Sequence, residues 1–135
     1  MKTGFSVRQK VFFAVVCFTV AIVGFMIKLP SGFRHIDKEM HAAFYFLAAA
    51  FLNVLFAGTK LIRHIIIFVA LYLFGMAIEY FQAYSNRFFR KRIHGRFDPE
   101  DIQWNLKGLM AFSLIWLFCI AILLVYKKAT RKNNG

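Results

Sequence analysis

Three polar side chains recur at a four-residue spacing where the second apolar run of the chain begins. Asp37, His41 and Tyr45 would form one stripe on an α-helix, because residues four apart share a face. In such a stripe the carboxylate orients or charges the imidazole, and the phenol extends the chain of hydrogen bonds. The alternative is three separate roles, as helix N-cap, interfacial histidine and belt tyrosine. The shared register keeps a functional site open beside that alternative.

Glu79 and Gln82 lie three residues apart near the end of the third apolar run. Arg63, at the start of that run, is 16 residues from Glu79, which is roughly 24 Å of helix at 1.5 Å per residue. This length places Glu79 inside the far boundary of the hydrocarbon layer, where an unpaired carboxylate costs about 3 kcal/mol. Glu79 must therefore be protonated or paired, which favours a functional role over an interfacial glutamate that reaches headgroup water.

A strong helix start precedes the fourth apolar run. Asp98 can cap the helix and Pro99 suits its first position. Capping does not explain Asp101 and Asn105, which continue at a four-residue spacing along the same helix. Gly108 follows three residues later, where a small residue permits close helix packing. This segment therefore predicts a polar helix face directed toward the other helices.

Five basic residues lie just before this helix start. Two or more of them could clamp a phosphate or carboxylate, and the alternative is a loop that faces lipid headgroups. The five are Arg87, Arg90, Lys91, Arg92 and Arg96. Arg96 is the candidate closest in sequence to the helix start.

The elements that would position these residues are membrane helices. The 135 residues are 60% apolar and 19% aromatic, with mean hydropathy +0.58, which is too apolar for an ordinary soluble domain. Four apolar runs, with their polar ends, reach the length that a bilayer core requires. We therefore predict one all-α transmembrane domain over residues 1–135, a small bundle with spans at about 11–29, 37–58, 63–84 and 99–126.

The distribution of charge predicts partners and orientation. The net charge is +12, but the basic residues flank apolar runs, so we expect anionic lipid headgroups as partners and no nucleic acid. Alternating connections place all six acidic residues on one side of the membrane. Basic residues divide evenly, nine on each side, and those in the long 82–108 segment count less. We therefore expect a multi-pass protein of the cell membrane whose two termini lie in the cytoplasm. The face that carries the acidic residues then points outward. The sequence leaves the oligomeric state open.

The order of these motifs resembles that of the VanZ-like membrane proteins. The similarity covers residues 36–109 and rests on three patterns. The chain differs from the family at position 112, where it has Phe112 and the family often has a second glycine. The resemblance implies a small multi-pass envelope protein, and the name-giving members of the family lower susceptibility to the glycopeptide teicoplanin. Its patterns are Asp37-Lys38-x-x-His41-x-x-x-Tyr45, then Glu79-x-x-Gln82, then Arg96-x-Asp98-x-x-Asp101-x-x-x-Asn105-x-x-Gly108.

Three functions remain open at this point. The first is a VanZ-like protein whose outward polar pocket interacts with a lipid-linked cell-wall precursor or lowers teicoplanin susceptibility. The second is a membrane-embedded enzyme that acts on a lipid-linked substrate, in which Asp37 orients His41 as general base and Glu79 is the acid. In a variant of the enzyme, His41, Glu79 and Asp101 bind a metal, although no motif has diagnostic metal spacing and we predict no cofactor. The third is a small cation-coupled transporter.

Overall fold

The computed structural model describes residues 4–26, 36–89 and 97–133, and within these ranges there are helices and no strand. Helix α1 spans Val7–Met26, α2 spans Asp37–Leu52, α3 spans Leu61–Phe88 and α4 spans Pro99–Asn133. A π-helical turn, Asn53–Ala57, continues α2. Each of the four helices is long and apolar enough to cross a membrane. The prediction of an all-α, four-helix membrane bundle is therefore confirmed.

The helix bounds differ from the predicted spans at both ends. Helix α1 begins at Val7 instead of residue 11 and α3 at Leu61 instead of residue 63, and the largest difference lies at the carboxyl end of α4. The starts of α2 and α4 lie at the predicted residues, Asp37 and Pro99. Helix α3 continues to Phe88, and α4 continues to Asn133 instead of ending near residue 126. Lysine and arginine favour helix, and positive charge is favourable near the negative end of the helix dipole, so the basic tail continues α4.

The closest helix pair is α2 with α4, which meet at Gly108. A Cβ atom added to Gly108 would overlap the Ala42 carbonyl oxygen and would lie 2.9 Å from the Ala42 carbonyl carbon. A residue without a side chain is therefore needed at this crossing. One turn further, Phe112 is buried and meets Phe46 edge-on, with ring centroids 5.6 Å apart. Phe112 thus fills the space next to the crossing with aromatic packing.

Helix α1 lies at the periphery of the bundle. No side chain of Val7–Gly24 is buried. Its contact with α3 includes an edge-to-face pair, Phe18 with Phe74, with ring centroids 5.2 Å apart. The core that positions the polar residues is consequently built by α2, α3 and α4.

Candidate functional site at the ends of three helices

The site is centred on a buried hydrogen bond between α2 and α4. His41 Nδ1 lies 2.9 Å from Asn105 Oδ1, and the two residues are 6% and 2% exposed. Because a carboxamide oxygen only accepts, this arrangement has Nδ1 donating, and a neutral imidazole then presents a lone pair at Nε2. Asn105 therefore fixes both the orientation and the tautomer of the His41 ring.

Two carboxylates face the other nitrogen of this ring. His41 Nε2 lies 4.0 Å from Asp37 Oδ1 and 3.9 Å from Asp101 Oδ2, distances longer than a direct hydrogen bond. The Asp37 side chain is 38% exposed, whereas that of Asp101 is 11% exposed. We call Asp37, His41, Asp101 and Asn105 the His41 cluster. Asp37 is the most exposed member of this cluster, whereas the other three residues are buried.

The structure overturns the N-cap alternative for Asp37. The N-cap position of α2 is Ile36, and the cap makes no side-chain hydrogen bond. Asp37 is the first helical residue, so its carboxylate lies beside His41 and not over the helix end. Next to it, Lys38 pairs with Glu100 and joins the starts of α2 and α4. Both partners of that ion pair are partly exposed, so it contributes little stability.

Glu79 brings a third helix to the site. Glu79 is 1% exposed, and its Oε2 atom accepts a hydrogen bond from the Asp98 backbone N–H at 3.2 Å. Asp98 in turn accepts from the Glu100 N–H at 2.9 Å, which confirms its predicted role as a helix cap. Among the described residues, Glu79 Oε1 and Asp101 Oδ1 are buried acceptors with no hydrogen-bond donor. Such atoms are uncommon in folded proteins, and a bound water, ion or ligand would satisfy them.

Tyr45 and Gln82 are also buried, at 1% and 8% exposure. The contact of α3 with Tyr45 depends on Gly75, which the sequence reasoning missed. A Cβ atom on Gly75 would lie 3.0 Å from Tyr45 Oη and 2.8 Å from Asn105 Nδ2. The signal for Gly75 was available, since it lies one helical turn before Glu79 in an otherwise apolar run.

The structure thus brings most predicted site residues to one end of the bundle. Helices α2 and α4 contribute the His41 cluster, and α3 contributes Glu79, which interacts electrostatically with the nearby carboxylates. Arg96 lies outside the described residues. The predicted clamp by the basic segment therefore stays a prediction.

A second buried polar group lies at the opposite end of α2, and sequence reasoning did not find it. His64 Nδ1 lies 2.8 Å from Asn53 Oδ1, and His64 Nε2 lies 3.1 Å from Ser113 Oγ. The His64 ring also stacks on Trp116, with centroids 4.2 Å apart and planes 3° apart. We call Asn53, His64, Ser113 and Trp116 the His64 cluster. The available signal was a histidine beside Arg63 at the start of the third predicted span.

Asn53 lies twelve positions after His41 along the chain, which corresponds to roughly 18 Å along a helix. The two clusters are therefore distinct in space. The chain was also compared with known proteins, and no family model, curated protein or solved structure matches it.

Proposed function

We propose that this chain is a VanZ-like integral membrane protein of the cell envelope whose polar site binds the headgroup of a lipid-linked cell-wall precursor. The site consists of the His41 cluster and Glu79. The observation that carries the proposal is the pair of buried, unpaired acceptors, Glu79 Oε1 and Asp101 Oδ1, among the described residues. A buried acceptor without a donor costs about 1 to 3 kcal/mol, so a bound donor would recover that free energy.

The chemistry of these acceptors favours a particular class of ligand. Carboxylate oxygens accept hydrogen bonds from hydroxyl, amide and ammonium groups. The sugar and peptide parts of a cell-wall precursor carry many such donors. The site lies between helices long and apolar enough to cross a membrane, so the lipid part of the same molecule would remain in the bilayer. A lipid-linked headgroup therefore satisfies both the polar site and its apolar surroundings.

Binding can be measured by native mass spectrometry of the purified protein with a lipid-linked cell-wall precursor. We expect binding by wild type that Glu79→Ala and His41→Ala both reduce at least tenfold. Glu39→Ala is the matched control, because Glu39 is an exposed carboxylate in the first turn of α2. Equal binding by wild type and Glu79→Ala would overturn the proposed pocket.

The role in resistance has its own test, glycopeptide susceptibility of a sensitive single-membrane host. Wild type, His41→Ala, Glu79→Ala and Glu39→Ala are expressed at matched membrane levels. We expect wild type and Glu39→Ala to protect against teicoplanin and the other two variants to fail. Absence of protection by wild type would remove the resistance role in that host and would leave the binding proposal to the direct measurement.

An enzymatic function is the second candidate. The hydrogen bond between His41 Nδ1 and Asn105 Oδ1 favours it. A ring fixed at Nδ1 presents Nε2 as a general base toward a bound substrate, with carboxylates beside it to stabilise the imidazolium. Turnover of the lipid-linked precursor by wild type, with loss in His41→Gln, would establish it. Binding without turnover would leave the first proposal alone.

A further inference from the structure

Three metal-ligating side chains converge at the His41 cluster. One imidazole nitrogen and two carboxylate oxygens, from Asp37, His41 and Asp101, all lie within 4.8 Å of one another. They come from two different helices, and two of the three residues are buried. A predicted alternative placed Glu79 with His41 and Asp101, but the group that the described residues form contains Asp37 in place of Glu79.

The separations suit a cation between the three atoms. Ligands about 2.1 Å from a tetrahedral Zn²⁺ lie roughly 3.4 Å from one another. His41 Nε2 lies 3.9 and 4.0 Å from the two carboxylate oxygens, so these two separations must shorten by about half an ångström. The two carboxylate oxygens lie within 4.8 Å of each other, so their separation must shorten by at most about 1.4 Å. The half-exposed Asp37 side chain has room to make such a shift. Asp101 offers either oxygen, because its Oδ1 has no hydrogen-bond partner among the described residues.

The surroundings also match a metal site. Metal-binding histidines commonly donate their second ring N–H to a fixed acceptor, which orients the ring and raises its basicity. Asn105 Oδ1 is such an acceptor, 2.9 Å from His41 Nδ1 and almost fully buried. The paired negative charge of Asp37 and Asp101 would be compensated by a divalent cation.

We propose that Asp37, His41 and Asp101 bind a divalent transition-metal cation, with Zn²⁺ as the reference ion. The imidazole ligand disfavours Mg²⁺ and Ca²⁺, which prefer oxygen ligands throughout. Three protein ligands leave at least one coordination position for water or for an anionic oxygen of a ligand. Asn105 is a positioning residue, since it acts through His41. This proposal does not depend on the proposed headgroup binding, because metal binding is measured without lipid-linked precursor.

The test is isothermal titration of the full chain in detergent with Zn²⁺, after EDTA treatment and removal of the chelator. We expect one Zn²⁺ per chain, at least 100-fold weaker binding by Asp101→Asn and by His41→Gln, and about tenfold weaker binding by Asn105→Ala. The matched control is His64→Gln, the same substitution at the other buried histidine, which should leave Zn²⁺ affinity unchanged.

Asp37→Asn provides a second ligand variant at a half-exposed position, where misfolding is least expected. Loss of binding in Asp37→Asn with retained helix content by circular dichroism supports the site. The proposal is overturned if wild type binds no stoichiometric Zn²⁺. It is equally overturned if Asp37→Asn and Asp101→Asn bind as wild type does, which would assign the ion to other groups such as the exposed Cys17 and Cys119 thiols.

Discussion

The two buried histidines of this bundle have the same kind of partner at Nδ1 and different partners at Nε2. In each, Nδ1 meets an asparagine Oδ1, at 2.9 Å for His41 and 2.8 Å for His64. His64 Nε2 then meets Ser113 Oγ at 3.1 Å, and its ring stacks on Trp116. His41 Nε2 instead faces two carboxylates across 3.9 to 4.0 Å. One cluster is completed by neutral groups of the bundle, whereas the other brings two carboxylates close to its imidazole.

Under our proposal, this difference separates a group that stabilises the fold from a group that binds a ligand. Hydrogen bonds and stacking within the His64 cluster join α2, α3 and α4 and leave its ring well packed. The other end of the bundle contains buried carboxylates and two unpaired acceptors among the described residues. Functional sites commonly retain such groups at the expense of stability.

The largest effect on stability is expected at Gly108, where α4 approaches the backbone of α2 most closely. Gly108→Ala should lower the free energy of unfolding by about 3 kcal/mol, because the new methyl overlaps the Ala42 backbone and separates α2 from α4. The apparent unfolding temperature in detergent, followed by circular dichroism, measures this change. Gly24→Ala is the control, since a Cβ there meets nothing within 4 Å, and it should be neutral or slightly stabilising. Equal behaviour of the two variants would contradict the described crossing.

The next effect concerns the His64 cluster. His64→Ala should cost about 2 kcal/mol, because it removes the stacked ring and leaves Asn53 and Ser113 without their partner. The same unfolding measurement should show a drop of several degrees. Headgroup binding by the folded fraction should be retained. Loss of binding at unchanged stability would reverse the roles assigned to the two clusters.

A smaller effect on stability, with a larger one on function, is expected at Gly75. In Gly75→Ala the new methyl meets the side-chain ends of Asn105 and Tyr45, which can shift, so the cost should be about 1 kcal/mol. Displacement of Asn105 would turn the His41 ring, and Zn²⁺ affinity by titration should fall about tenfold. Unchanged affinity would show that Asn105 does not position His41.

The sequence predicted the features that are local and missed those that depend on how helices face each other. Asp37, His41 and Glu79 were found because helical spacing and span boundaries identify them without any knowledge of packing. The His41 contact with Asn105 joins residues 64 positions apart, and helical spacing within one segment does not predict it. Gly75 and the His64 cluster require the rotation of each helix about its axis. Hydropathy does not fix that rotation when apolar residues surround most of each helix.

The central claim is that Glu79 and the His41 cluster serve a ligand and not the fold. Its most direct test is the apparent unfolding temperature of Glu79→Gln in detergent beside that of wild type. Glutamine keeps an acceptor for the Asp98 N–H, and it is neutral, so it avoids the repulsion that Asp37, Asp98 and Asp101 exert on a Glu79 carboxylate. We predict an unfolding temperature equal to or above that of wild type. A decrease as large as that of His64→Ala would show that Glu79 stabilises the bundle and would contradict the claim.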